Sequence, residues 1–207
     1  MKNERETRKA LLISGKKEFM EKGYTQASLR NICKNAGATT GALYFFFQDK
    51  EDLFAAIVEE PVKMLMEEMQ QHFKEEKKLL EEHADTNPIL MTKQGNDLEV
   101  VLKVVHFLYQ NQDAFLLVLT KSQGSRFETI LDQFVEIAEK HYRTLADCFS
   151  NALGKERVED YMIHWIAHMQ MDAFAHMLVH EKSEEAALRH IQTILRFLID
   201  GWVGMFR

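Results

Sequence analysis

The stretch Ser28–Lys50, SLRNICKNAGATTGALYFFFQDK, constrains the fold more than any other part of this chain. Leu29, Ile32, Cys33 and Ala36 fall at i, i+3, i+4 and i+7, one apolar face of a helix. Ser28 stands where a hydroxyl caps the first turn, and Gly37 supplies the left-handed residue that stops it. Thr39 or Thr40 caps a second helix, on which Leu43, Phe46 and Phe47 repeat the apolar spacing. Asp49 caps a third, with Asp52 at its N3 position, close to a capping box. Two short helices joined by a Gly-containing turn make a helix-turn-helix, a motif that docks its second helix in the DNA major groove.

A resemblance is specific at this point. Phe19, Gly23-Tyr24, Ser28, Ile32, Ala36-Gly37, Gly41, Leu43-Tyr44, Phe47 and Lys50-Glu51-Asp52-Leu53 are similar to the signature of the TetR (tetracycline-repressor) family of bacterial transcription regulators. The match spans roughly residues 8–58; beyond it the chain resembles the family only in length and helical character. The resemblance implies an all-α protein. A three-helix helix-turn-helix DNA-binding domain over 1–58 precedes a larger helical ligand-binding and dimerisation domain over 59–207. It also implies a homodimer on a double-stranded, palindromic operator. The usual mode is a repressor, released by a small-molecule effector, with no cofactor, metal or catalytic residue.

Charge is divided accordingly. Residues 1–58 hold ten lysines and arginines against seven acidic residues, a net of +3, and the remainder carries −9 of the chain's −6 total. A basic head on an acidic body suits a protein that offers one end to DNA. No apolar run approaches the ~18 residues of a membrane span, and MKNERETRK lacks the apolar core of a signal peptide. Cys33 and Cys148, each on an apolar helical pattern, read as buried reduced thiols of a cytoplasmic protein.

Within the resemblance, the DNA-facing residues are Ser28 and Arg30 on the first helix of the motif, and Thr39, Thr40, Gly41, Ala42, Tyr44 and Phe45 on the second. Lys50 at the start of the third makes a phosphate contact in the family. A helix N-terminus favours phosphate oxygens, Gly41 and Ala42 let the backbone approach, and Ala42 or a threonine methyl can touch a thymine methyl. The family often has a histidine after the tyrosine; here the run is Phe45-Phe46-Phe47. Phe45 then contacts sugar or a thymine methyl, or joins Phe46 and Phe47 in the core. Arg5, Arg8 and Lys9 form a basic arm for the minor groove or a frayed, solvated terminus. Where the family usually has leucine stands Glu18, expected at the edge of the three-helix core. Gly15 is a poor helix former that permits a close helix crossing.

Downstream, Pro61 predicts a kink or break at Glu59–Val62, where the domain boundary is placed. The apolar pattern then dissolves in EEKKLLEEH. Residues 84–97, ADTNPILMTKQGND, read as a loop in which Ile89-Leu90-Met91 still bury something. Helices follow at Leu98–Asn111, Asp113–Ser122, Phe127–Leu153, Val158–His180 and Ser183–Phe206. The last two are apolar on more than one face, so one face needs a partner. Leu188, Ile191, Leu195 and Leu198, with Trp202 near one end, are expected in a dimer bundle. An effector pocket would draw on Phe107, Tyr109, Phe115, Tyr142, Phe149, Trp165, Met169 and Phe174.

Rival readings are weak. His164, His168, Asp172, His176 and His180 recur at i+4, but such a row drifts by about 40° per step, so the five cannot make one site, although one pair could chelate a metal. No Glu-x-x-His, P-loop, G-x-G-x-x-G, G-x-S-x-G or Cys-x-x-Cys occurs, which leaves no helical-bundle iron site or familiar nucleophile to build an enzyme on. Cys148 with His141 shares a helix face without an evident electropositive setting. A helical interaction module that does not bind DNA is the remaining alternative.

Overall fold

The computed structural model describes residues 2–83 and 97–207, with side chains from Glu4 to His83 and from Glu99 onward. The expected loop at 84–97, Ile89-Leu90-Met91 included, lies outside the described residues apart from Asp97, which opens a helix. Regular structure among the described residues is helical: α1 Lys2–Gln26, α2 Leu29–Ala36, α3 Thr40–Phe46, α4 Lys50–Glu82, α5 Asp97–Gln110, α6 Gln112–Thr120, α7 Ile130–Leu153, α8 Asp160–His180 and α9 Glu184–Gly204. The chain folds into two compact units. One holds residues up to 64 together with 111–130; the other holds 65–110 and 131–207. Residues 111–130 had no local signal attaching them to the N-terminal unit. They are recruited there by side chains such as Phe115 and Leu117, buried on α6 where it lies against α1.

The first unit is built on α1, α2 and α3. Leu11, Phe19, Ile32, Leu43, Phe47, Leu53, Phe54 and Val58 are all buried. Phe19 meets Phe54 edge-on at 4.9 Å, and Tyr24 packs under both. Gly23 (φ 73°) interrupts α1, turning the chain so that Tyr24 can do this. At Gly15 an added Cβ would stand 3.3 Å from Leu53 Cδ2, so the close crossing of α1 and α4 is real. Helix α1 is regular from Lys2 onward. The segment carrying Arg5, Arg8 and Lys9 is therefore helix and not a frayed end. Arg8 lies over the Phe47 ring at 5.4 Å.

Glu18 departs from expectation: it is 6 % exposed, not at an edge. Its Oε1 accepts the Ser28 N–H at 3.2 Å and the Asn31 side-chain amide at 3.4 Å. The start of α2 presents unpaired N–H groups and the positive end of a helix dipole, and a carboxylate on the facing helix satisfies both. Ser14, also buried, donates its hydroxyl to the Ile32 carbonyl at 2.8 Å.

The break at Glu59–Val62 does not occur. Helix α4 runs unbroken through Pro61. An internal proline costs about 3 kcal/mol, whereas burying a valine contributes roughly 1.5–3 kcal/mol, and Val58 and Val62, one turn apart, are both buried. Together they outweigh the proline. Where the apolar pattern fades after Phe73 the helix continues to Glu82, with Lys77–Glu81 and Lys78–Glu82 paired along it and Leu80 buried.

In the second unit Ala146, Phe149, Ile163 and Phe206 form one buried cluster, flanked by Tyr142 and Trp202. Val135, Ala138 and Ala167 form another, flanked by Phe73 and Met171. His141 is buried in this unit, stacked flat on Phe73 at 3.8 Å, with Nε2 2.9 Å from the Glu76 carboxylate. Helix α7 begins at Ile130 rather than at Phe127 and closes on Gly154 (φ 62°). Helix α9 begins one residue after Ser183, whose hydroxyl accepts the Ala186 N–H.

Candidate nucleic-acid interface

The caps read from sequence hold the motif's helices in place. The Ser28 hydroxyl accepts the Asn31 N–H at 3.4 Å, and Gly37, at φ 64°, closes α2. Thr39, not Thr40, caps α3, accepting the Ala42 N–H at 3.1 Å. Asp49 accepts the Asp52 N–H at 2.8 Å, while Asp52 reaches back to the Gln48 N–H at 2.9 Å. These bonds pair donors that a helix start leaves open, so the starts of α2, α3 and α4 are set by residues within four positions of them.

On α3 the faces separate sharply. Leu43 and the C-cap Phe47 are buried, and Phe46 is partly covered. Thr39, Thr40, Gly41, Tyr44 and Phe45 are exposed and Ala42 half-covered. Phe45 is outside the core, at 72 % exposure, so it does not join Phe47 there. Its ring stands edge-on to Phe46 at 4.9 Å, which braces it. Arg30 is exposed on α2, with Ser28 partly covered at that helix's start.

Lys50 is held by residues that sequence reasoning missed. Its ammonium donates to the Thr25 carbonyl at 3.1 Å and lies 4.7 Å above the Tyr24 ring. Tyr24 and Thr25 are in turn tied to the turn after α6. The Tyr24 N–H donates to the Lys121 carbonyl at 2.7 Å, and the Thr25 hydroxyl to the Gln123 carbonyl at 2.7 Å. Arg126 pairs with Glu59 at 2.6 Å, and Phe127 packs on Phe54. Burial holds the Tyr24 phenol protonated well above its ordinary range, assisted by its hydrogen bond to Glu51 and by the Glu51 and Asp49 charges. Burial likewise pushes the Cys33 thiol up. In sequence 121–128 is marked only by Gly124 and Ser125, which interrupt the helical pattern without saying what the turn packs against; Gly124 adopts φ 86°.

The eight effector-pocket candidates do not gather. Phe115 is buried in the first unit. Tyr142 and Phe149 meet at the Trp202 ring, 5.7 and 5.9 Å away. Tyr109 donates its hydroxyl to the Glu181 carbonyl at 2.9 Å. Trp165 faces solvent at 49 % exposure, and Phe107, Met169 and Phe174 are partly covered. Of the five dimer candidates, Ile191 is buried inside its own chain and Trp202 belongs to the Phe149–Phe206 cluster. Leu188, Leu195 and Leu198 are partly covered. The large apolar side chains that do face outward on α8 and α9 are Tyr161, Met162, Trp165, Val179 and Phe197.

The histidines pair off as expected of an i+4 row: His164 with His168, and His176 with His180. A groove of about 290 Å³ is lined by Ala173, His176, Met177, His180, Glu181, His190 and Ile194, but Glu181 is already bonded to His190 at 2.6 Å. Among the described residues no three metal-binding side chains converge, and no helix is long and apolar enough to cross a membrane.

The chain is all-α in its described residues and carries a capped helix-turn-helix near its N-terminus, the motif by which a helix is docked in the DNA major groove. Residues 11–57 match the family model of bacterial regulatory proteins of the tetR family. The chain is 45 % identical over 53 residues to the HTH-type transcriptional repressor BepR of Brucella suis, covering 26 % of this chain and 25 % of that protein. It is 44 % identical over 54 residues to the HTH-type transcriptional regulator AcrR of Shigella flexneri, with the same coverage. The chain thus aligns with about a quarter of the length of these relatives. The fold extends further. A TetR-family regulator of Syntrophomonas wolfei superposes over 94 % of this chain and 95 % of its own, with TM-score 0.56 at 18 % identity. NalD of Pseudomonas aeruginosa, the secondary repressor of the MexAB-OprM multidrug efflux pump, superposes over 93 % and 96 %, with TM-score 0.51 at 18 % identity.

Proposed function

We propose that this protein is a DNA-binding transcriptional regulator that acts as a homodimeric repressor on a palindromic operator. A small, largely apolar or aromatic effector bound in the second unit releases it. The observation that carries the reading is the exposed face of α3. Thr39, Thr40, Gly41, Tyr44 and Phe45 are uncovered on a helix whose opposite side is locked into the core, within a head of net charge +3. Ser28, Arg30, Tyr44 and Lys50 supply the phosphate contacts. The similar repressors BepR and NalD support the repressor mode. The outward aromatics of α8 and α9 support a two-fold interface there, because a large exposed apolar surface needs a partner.

The test is duplex binding as a function of salt. Each phosphate contact adds to the slope of log affinity against log salt. Tyr44→Ala with Lys50→Ala should weaken binding to all sequences and flatten that slope, while Thr40→Ala should change the preferred sequence. Unchanged affinity and slope in the double variant refute the docking.

A further inference from the structure

Seven residues, TGALYFF, make up α3, and none is Arg, Lys, Asn, Gln, Asp or Glu. The side chains that read guanine or adenine by paired hydrogen bonds in the major groove, Arg, Lys, Asn and Gln, are therefore absent from the helix that would enter it. What α3 offers instead is a stripe at i, i+3 and i+4: Gly41, Tyr44 and Phe45, all exposed. Gly41 presents backbone, and Tyr44 ends in a hydroxyl suited to phosphate. Phe45 presents only carbon, uncovered over 72 % of its surface and held edge-on to Phe46. The one base-specific carbon group on the floor of the major groove is the C5 methyl of thymine.

We infer that Phe45 is a specificity-determining residue of the reading helix, and that it recognises the C5 methyl group of a thymine in each half-site. The inference rests on the DNA-binding reading above and narrows it to a chemistry. The contact is with the methyl and not with the hydrogen-bonding edge. A 5-methylcytosine at the same position should therefore bind better than cytosine, and a uracil should bind worse than thymine although it pairs identically. Removing one buried methyl costs about fourfold in affinity at the ~0.8 kcal/mol of a buried carbon group, and about fifteenfold when both half-sites lose it.

The experiment takes the full chain, selects duplexes from a random-sequence pool, and replaces each thymine of the selected duplex in turn with deoxyuridine. Binding is read by fluorescence anisotropy for the parent, Phe45→Ala and Phe45→Leu. Phe45 is on the surface, so both variants should keep the parent's helical circular dichroism and melting point. The expected result is one position per half-site at which uracil costs about fourfold in the parent. That cost disappears in Phe45→Ala and is partly kept in Phe45→Leu, with the salt slope unchanged in all three. A uracil scan flat at every position overturns the inference while leaving DNA binding in place, as does a methyl cost that persists in Phe45→Ala. A pool that yields no enriched sequence overturns the DNA-binding reading and this inference with it.

Discussion

The turn after α6 is fastened to the end of α1 beside Gly124, and Gly124→Ala measures how much that fastening contributes. Gly124 sits at φ 86°, and a Cβ there would come 2.9 Å from Thr25 Oγ1. Holding an L-residue in this region costs about 1–2 kcal/mol. Displacing the Thr25 hydroxyl breaks its 2.7 Å bond to the Gln123 carbonyl, worth about 0.5–1.5 kcal/mol. The alanine recovers roughly 0.4–1 kcal/mol by stiffening the unfolded chain. The balance is a loss of about 2 kcal/mol, or about thirtyfold in the opening equilibrium. Both tryptophans, Trp165 and Trp202, lie in the other unit, so fluorescence would miss the event. Amide hydrogen exchange read by mass spectrometry over 19–27 and 46–60 reports it directly. Thr25→Ala alone should cost about 1 kcal/mol. In combination with Gly124→Ala it should add little, because the atom in the way has been removed. Gly124→Ala within 0.5 kcal/mol of the parent, or strict additivity in the double variant, would refute the account of this turn.

Three further outcomes are expected. Glu18→Ala leaves the N–H of Ser28 without its carboxylate and should cost about 2–3 kcal/mol in chemical denaturation, with Glu18→Gln costing about half of that; equal losses in the two variants would show that volume, not the acceptor, matters. Tyr24 has its folded pKa raised by burial and by Glu51, so its contribution is complete below the unfolded value near 10 and is lost as pH rises above it. Tyr24→Phe should therefore lose less stability than the parent between pH 10 and 12, and parallel curves would remove the linkage. Phe197→Glu, on the outward face of α9, should yield a folded monomer by analytical ultracentrifugation, whereas Ile191→Glu should unfold the second unit; a folded, dimeric Phe197→Glu places the interface elsewhere.

Local chemistry was readable residue by residue. Ser28, Thr39 and Asp49 cap helices, and Gly37 ends one. Each such bond joins groups at most a few positions apart, so the sequence window contains both partners. The apolar period of α2 and α3 was legible for the same reason. Pro61 does not break α4 because the penalty of a proline is local, while the burial of Val58 and Val62 that outweighs it depends on which elements lie opposite. Glu18 was placed at an edge because its two donors are on another helix, 10 and 13 residues away.

The helix-turn-helix, the family resemblance of its domain and the all-helical class were thus determined by the sequence itself, through capping and period. Tertiary structure decided what covers each face. The pattern of α9 puts Leu188, Ile191, Leu195 and Leu198 on related faces, yet only packing shows Ile191 inside the chain and Phe197 outside it. In the same way Lys50 gains its position from Tyr24 and Thr25, and these are fixed by carbonyls about a hundred residues further along. A helical period records which side chains share a face. The free energy that orients the face comes from surfaces brought together across the chain, and no window of sequence contains both.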